Sequence, residues 1–125
     1  MTLKIGQEHA GGFIVDLDDS GTHGLVAAQT DLSKEATWKE AINLCAEYKV
    51  DNFDDWYLPS KEELDLVYQN LKKRGLGSFS VNNDDYYWSS TEDDTNYAWE
   101  QTFYDGYQGC EKKNSLNHVR AVRAF

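Results

Sequence analysis

The last forty residues of the chain combine regularly placed anchors with a polar stretch that has no amphipathic period. Nine of the seventeen aromatic residues lie in this segment, 86–125, so it must contribute to a folded core. Its two ends look like strands, and Trp99, Phe103 and Gly106 recur between them. The positions between these anchors hold side chains of many kinds. A rigid frame that carries varied polar and aromatic side chains is typical of a binding face, because Tyr gives stiff contact area and Asn, Ser and Gly give adaptable hydrogen bonds.

Two helices are predicted ahead of this segment. Thr37 and Ser60 each stand where an N-cap is expected, and each is followed three positions later by Glu, which completes a capping box. Apolar residues then recur at helical spacing, so the first helix is expected to run to about Lys49 and the second to end before Gly75. The two apolar stripes are Trp38, Ala41, Ile42, Cys45 and Tyr48, and Leu64, Val67, Tyr68 and Leu71.

Strands are predicted on both sides of the helices. Residues 12–17 and 24–28 form a hairpin around the turn sequence at 18–21. Alternation near the chain end places Arg120 and Arg123 on opposite faces, so each is expected to meet a carboxylate or a carbonyl at a sheet margin. The order of hairpin, helices and strands predicts an α+β fold with the helices segregated from antiparallel sheets. The candidate strands of the tail are 86–91, 97–103, 108–112 and 119–125.

Size and charge limit the classes of protein to consider. The 125 residues fit a single domain, 1–125, and the net charge of −10 argues against nucleic acid and anionic membrane surfaces as partners. No run approaches the roughly 20 apolar residues of a membrane span. No signal peptide is visible, because residues 1–8 lack an apolar region. We expect no cofactor.

The cysteines and histidines do not predict a metal or disulfide framework. Cys45 falls on the apolar side of the first helix and Cys110 in the polar stretch, and a bond between them is left open. The three histidines lack the spacing of metal ligands. Residues 16–21 match only the start of a calcium loop, since the last position would fall at Ala27. No metal site is therefore expected.

A series of short motifs runs along nearly the whole chain. They are Gly11-Gly12-Phe13-Ile14-Val15, His23-Gly24-Leu25-Val26-Ala27-Ala28, Trp56-Tyr57-Leu58-Pro59-Ser60 with Glu63-Leu64, Tyr87-Trp88-Ser89-Ser90-Thr91, Ala98-Trp99, Phe103, Gly106 and Val119-Arg120-Ala121-Val122-Arg123. In order and spacing they resemble the Lcl-C-terminal-like domains, with Tyr57 in place of the family's Arg. The resemblance implies a C-type-lectin-like fold, two helices packed on antiparallel sheets. Collagen-like adhesin relatives imply sulfated glycans as one ligand class, although this acidic chain has few cations to meet sulfates.

The tail carries a second, narrower pattern, WSST…AW…F..G…K…VRAVRAF. It resembles the variable region of diversity-generating-retroelement target proteins, in which Asn codons of a template are copied with errors at adenines. Such copying reaches Asp, Tyr, Gly, Cys, Leu, His, Ser and Thr, but not Glu, Lys, Gln or Trp. The resemblance implies fixed residues at Glu92, Trp99, Glu100, Gln101, Gln108, Glu111, Lys112 and Lys113. It implies ligand contacts at Asp93, Asp94, Asn96, Tyr97, Thr102, Tyr104, Asp105, Tyr107, Gly109, Cys110, Asn114, Leu116 and His118.

These patterns predict a non-catalytic, receptor-binding or adhesion-type domain on a cell surface or virion, with an unidentified protein or glycan as ligand. Tyr97, Tyr104 and Tyr107 are expected to contact that ligand, because other aromatic residues of the tail already supply the core.

Two alternatives stay open. Sulfatase-modifying enzymes share the lectin-like fold class but need reactive cysteines, which Cys45 and Cys110 do not resemble. A structural module of a phage or surface fibre would have no ligand of its own. A hydrolase is disfavoured, because Ser89 and Ser90 lack a nucleophile elbow.

Overall fold

The computed structural model describes residues 2–32 and 34–125. This part of the chain forms two α-helices and two antiparallel sheets, which confirms the predicted α+β class. The finer expectation of a C-type-lectin-like fold stays a prediction. The helices are α1 (Trp38–Glu47) and α2 (Lys61–Asn70), with a 3-10 turn at Lys72–Arg74. The strands are β1 (Glu8–His9), β2 (Gly12–Leu17), β3 (Gly24–Ala28), β4 (Tyr86–Glu92), β5 (Tyr97–Thr102), β6 (Gln108–Lys112) and β7 (Val122–Ala124).

Both helices begin at the predicted capping boxes. The Thr37 hydroxyl accepts from the backbone N–H of Glu40, and the Glu40 carboxylate accepts from the backbone N–H of Thr37 at 3.0 Å. Ser60 and Glu63 repeat this reciprocal pair at α2. Helix α1 ends two residues earlier than predicted, because the next residue adopts extended backbone with ψ of 136°.

The four-stranded sheet separates two apolar clusters, one under each helix. Its strand order is β1-β2-β3-β7, and all neighbours are antiparallel. Alternation along β2 sends Ile14 to the cluster that contains α1 and Val15 to the cluster that contains α2. Both side chains are fully buried. The sheet is therefore the central layer, and each amphipathic helix stripe covers one of its faces.

The predicted strand at 119–125 is wrong in length, since only Val122–Ala124 form β7. Residues 119–121 are buried, and the Ala121 carbonyl still accepts from the N–H of Ala28, the last residue of β3, at 2.8 Å. Val119 lies opposite a chain that has already left the sheet. The Val119 carbonyl accepts from Leu32 N–H at 2.9 Å, four residues beyond the end of β3. Alternation alone does not show where a partner strand stops. The short strand β1 was not predicted either.

The three-stranded sheet β4-β5-β6 contains most of the tail. Trp88 on β4 and Phe103 after β5 are fully buried, and Trp88 Nε1–H donates to the Ala36 carbonyl at 2.8 Å. The chain after β6 then crosses back to β7 in the first sheet. The tail is thus tied to the core at both ends.

The two arginines of the closing segment meet carboxylates and carbonyls, as predicted. Arg120 donates to Asp31 at 2.9 Å and to the Ala28 carbonyl at 2.9 Å. Arg123 donates to Asp55 at 2.6 Å, and this hydrogen bond lowers the pKa of the Asp55 carboxyl. Each guanidinium therefore fastens the closing segment to a loop from the first half of the chain.

Gly106 gives a direct test of how tightly the β5–β6 turn is packed. Its φ is 86°, and a Cβ there would lie 2.6 Å from the Tyr68 ring. We expect Gly106→Ala to lower the free energy of unfolding by about 2–3 kcal/mol, through left-handed strain and overpacking. Gly75→Ala is the matched control, because its φ is 75° and no described atom lies within 4 Å of the added Cβ. Urea unfolding should show that Gly75→Ala loses only about 1 kcal/mol. Equal losses in the two variants would show that contact with the Tyr68 ring adds nothing to the cost of Gly106→Ala.

Candidate binding face

The tail consists of a buried frame and exposed positions between its members. Of the predicted anchors, Trp88 and Phe103 are fully buried, as are Ala98 and Val119, whereas Trp99 is only half-buried. By contrast, Tyr104, Tyr107 and Leu116 are 57%, 62% and 58% exposed. These three are the most exposed large hydrophobic side chains among the described residues. Burying such side chains against a partner would be favourable, whereas exposing them in a monomer is not.

The thirteen predicted contacts lie at three places. Five are near the β4–β5 turn and the adjoining part of β6, five are around the β5–β6 turn, and three are on the segment that follows β6. The six residues of β5 separate the two turns by about 17 Å. A small glycan could contact only one turn. A protein partner, which typically covers about 800 Å² on each side, could reach both.

The β4–β5 turn borders a groove of about 350 Å³. Asp94 Oδ1 accepts from Asn96 N–H at 2.8 Å and from Tyr97 N–H at 2.9 Å, which fixes the turn. Lys113 is held on the far side by Glu92 at 2.6 Å. Cys110 and Asp93 are also neighbours here: the pKa of the Cys110 thiol is raised by partial burial and by the Asp93 charge. The groove is lined by Thr95, Asn96, Tyr97, Lys112, Lys113 and Asn114.

The β5–β6 turn presents two exposed tyrosines, and we call this region the tyrosine end (Tyr104, Asp105 and Tyr107, with Tyr86 beside them). Tyr107 lies over Gly109, where a Cβ would come within 3.0 Å of its ring. Burial raises the pKa of Tyr86, and the charges of Glu100, Tyr107 and Asp105 add to this, which places these groups close together. Tyr104 borders a hollow of about 590 Å³ with Val81, Asn82, Asn83, Asp84 and Asp85.

Two predicted contacts support the face instead of forming it. Thr102 is only 3% exposed, and its hydroxyl accepts from Tyr104 N–H at 3.2 Å, so it shapes the turn. His118 is half-buried, and its ring packs against Tyr87 at 5.4 Å between centroids. Residue type cannot distinguish these two from their exposed neighbours.

Part of this surface is not predicted by the sequence patterns. Tyr86 is predicted only as a strand residue, and no role is predicted for residues 81–85. Residues 81–85 lie beside Tyr104 and extend the tyrosine end. One sequence feature indicates this surface. Val81 is an apolar residue followed by a run of Asn and Asp, and such a polar segment is seldom buried.

The serine and cysteine side chains considered for catalysis have structural surroundings. Ser89 is buried, and its hydroxyl donates to the Trp99 carbonyl at 2.7 Å. Both cysteines are free thiols in the part of the chain that the structure describes. Cys45 is fully buried, and burial raises its pKa to about 12, so it carries no thiolate at neutral pH.

Glu100 is a buried acid beneath the sheet face. It is 8% exposed and accepts from Asn117 Nδ2 at 2.9 Å. Burial raises its pKa above the ordinary 4.5, and the Asn117 hydrogen bond opposes this shift. Since the folded pKa is raised, the stability contribution of the group is present below about pH 4.5 and is lost as pH rises through the folded pKa.

We therefore expect Glu100→Gln to stabilise the protein by about 1 kcal/mol or less at pH 7. The amide oxygen can still accept from Asn117, and the buried charge is gone. The gain should vanish near pH 3.5, where both side chains are neutral. Urea unfolding at the two pH values measures this, with exposed Glu62→Gln as the control. A loss of stability at pH 7 would contradict the prediction.

Neither α-helix in the described residues is long and apolar enough to cross a bilayer. No curated protein sequence matches the chain significantly. The family model of the Lcl C-terminal domain matches residues 18–123, from the β2–β3 turn to β7, and this family is consistent with a surface or binding module. The chain belongs to the Lcl C-terminal domain family.

Proposed function

We propose that this protein is a non-catalytic, receptor-binding or adhesion-type domain that contacts a protein or glycan through the tyrosine end, and that its exposed tail positions are diversified by a retroelement. The supporting observation is an inversion of normal exposure in the tail. Nine of the thirteen positions reachable by adenine errors are exposed, against two of the eight unreachable ones.

Residue type alone does not explain this inversion. The unreachable set is mostly Glu, Gln and Lys, which normally favour the surface, yet only Glu92 and Lys112 are exposed. Five of the nine exposed reachable residues are Asp or Asn, which favour the surface anyway, but the other four are Tyr, Cys and Leu. Among the exposed reachable residues are Tyr104, Tyr107 and Leu116. Selection for a binding surface accounts for the inversion, because diversity is tolerated only where side chains do not pack in the core.

The tyrosine end is preorganised for binding. Gly106 N–H donates to the Thr102 carbonyl at 3.0 Å, and Tyr107 N–H donates to Asp105 Oδ1 at 3.0 Å. Gln101 Nε2 donates to the Gly106 carbonyl at 3.1 Å from beneath the turn. A turn that is already fixed loses little conformational entropy on binding. The tyrosine rings supply the contact area, and Asp105 with the acidic 84–85 segment favours a partner with cationic groups at the contact.

The chemistry of the thiols supports a non-catalytic role. An enzyme of the sulfatase-modifying kind needs an accessible thiolate, but the pKa values of Cys45 and Cys110 are both raised. The remaining alternative, a fibre module without a ligand, does not account for the exposed tyrosines.

Binding can be tested with fluorescently labelled protein on a glycan array and on intact bacterial cells. We expect the double variant Tyr104→Ala, Tyr107→Ala to lose at least tenfold in bound signal, because aromatic anchors dominate such contacts. Lys39→Ala with Glu47→Ala, both exposed on α1, is the control. Undiminished binding by a stable double tyrosine variant would refute the tyrosine end as the contact.

Diversification has a separate genomic test. We expect, beside the gene, a near-copy of the segment encoding residues 86–125 that differs only at adenines, with a reverse transcriptase gene nearby. Differences at other bases, or no such copy, would remove the diversification proposal and leave the binding proposal in place.

A further inference from the structure

One histidine of the tail lies among carboxylates from two distant connections. His118 Nε2 is 3.6 Å from Asp85 Oδ2 and 3.7 Å from Glu35 Oε1. The three potential ligand atoms all lie within 4.8 Å of one another. Glu35 precedes α1, Asp85 precedes β4 and His118 follows β6, so the cluster joins three irregular segments.

The histidine nitrogen is buried without a partner. Among the described residues, no group hydrogen-bonds to His118 Nε2, although the atom is shielded from water. Buried polar atoms are almost always satisfied, so His118 Nε2 is expected to meet a ligand. Both carboxylate distances exceed hydrogen-bonding range, but they approach the separation of about 3.4 Å between ligands of a tetrahedral zinc ion with bonds of about 2.0–2.1 Å.

The surroundings of the second ring nitrogen, His118 Nδ1, are also those of a metal-binding histidine. His118 Nδ1 faces Asp31 Oδ2 at 3.8 Å. Asp31 is itself fixed by Arg120 and by the Tyr87 hydroxyl, which donates to it at 2.8 Å. Histidines that bind metals usually direct the second ring nitrogen toward a carboxylate in this way. Asp85 is likewise held by Ser80, whose hydroxyl donates to it at 2.5 Å.

We propose that Glu35, Asp85 and His118 bind a divalent transition-metal ion, with Zn²⁺ as the best fit. One imidazole with two carboxylates suits zinc, whereas Ca²⁺ and Mg²⁺ prefer oxygen ligands alone. Three protein ligands leave a fourth position for water or for a donor atom of a bound partner. Asp85 also borders the hollow beside Tyr104, so the ion would order the margin of the tyrosine end.

Calorimetric titration with Zn²⁺ tests this directly, in a Cys110→Ser background that removes the exposed thiol. We expect one ion per chain. Affinity should fall at least 10–100-fold in His118→Gln and in Glu35→Gln. His23→Gln and Glu62→Gln, both exposed and outside the cluster, should bind as the parent does. Equal affinity in all five proteins, or Ca²⁺ and Mg²⁺ binding as tightly as Zn²⁺, would overturn the proposal.

Thermal unfolding provides a second measurement that does not depend on the ligand of the tyrosine end. At a free Zn²⁺ concentration 100 times the Kd, the ratio of folded to unfolded protein should rise about 100-fold. Glu35→Gln should cut this rise to about 11-fold or less at the same Zn²⁺ concentration. It should not harm the metal-free fold, because Glu35 is exposed. A rise of the same size in Glu35→Gln would refute the site, whatever the outcome of the tests of the binding face.

Discussion

Replacing Arg120 with Met is expected to lower the free energy of unfolding by about 3–5 kcal/mol. The Arg120 side chain is fully buried, and it donates to Asp31, Ala28 and Ser78. Its guanidinium also lies 4.0 Å from the centre of the Phe79 ring. Met fills similar volume but leaves the Asp31 carboxylate without its buried counter-charge and two carbonyls without a donor.

Arg123→Met is the matched control for this prediction. Arg123 also pairs with an aspartate, but the Asp55 side chain is 59% exposed and can regain water. We expect a loss of about 1–2 kcal/mol in urea unfolding at pH 7. Because Arg123 lowers the folded pKa of Asp55, that pair stabilises the protein above the unfolded pKa and loses its effect as pH falls through the folded pKa. A smaller loss for Arg120→Met than for Arg123→Met would contradict this ranking.

Trp88→Ala should be comparably damaging, with a loss of about 3–5 kcal/mol. Trp88 is fully buried in the cluster beneath α1, so truncation leaves a large cavity. It also leaves the Ala36 carbonyl without the indole N–H that donates to it at 2.8 Å. The variant therefore combines lost apolar burial with a lost hydrogen bond.

Trp99→Ala is the control for Trp88→Ala, because it removes a tryptophan that is only partly buried. Trp99 is half-buried, and its ring lies 3.7 Å from Lys61 Nζ, a cation–π contact worth about 0.5–1 kcal/mol at exposed sites. We expect a total loss of about 1–2 kcal/mol. Denaturant midpoints at a common pH compare the two variants. Equal losses would show that burial does not distinguish the frame from its surroundings.

Local sequence signals predicted the helices and the first hairpin because those elements depend on short-range chemistry. Thr37 and Ser60 cap helices through residues only three positions away. The hairpin turn is held in the same local way, by Asp18 accepting from Gly21 N–H at 3.1 Å. The start of β7 at Val122 depends instead on where β3 leaves the sheet, and no pattern within 119–125 indicates that point.

The candidate face was predictable in position but not in detail. Residue type indicates that Tyr97, Tyr104 and Tyr107 are exposed; Tyr104 and Tyr107 are exposed in the structure, whereas Tyr97 is half-buried. The same criterion included Thr102, whose burial depends on the direction of its side chain within the sheet. His118 was assigned no metal role because its neighbours Glu35 and Asp85 are far away in the sequence, and only folding brings them together.

We infer that the tail pairs a fixed frame with a face whose side chains can be substituted freely. This can be tested by measuring the free energy of unfolding for every single substitution at residues 86–125, through the protease resistance of a displayed library. We expect changes within about 0.5 kcal/mol for most substitutions at Tyr104, Tyr107 and Leu116, and losses above about 2 kcal/mol at Trp88 and Phe103. Losses above about 2 kcal/mol at the three exposed positions would contradict it, because those side chains would then belong to the core.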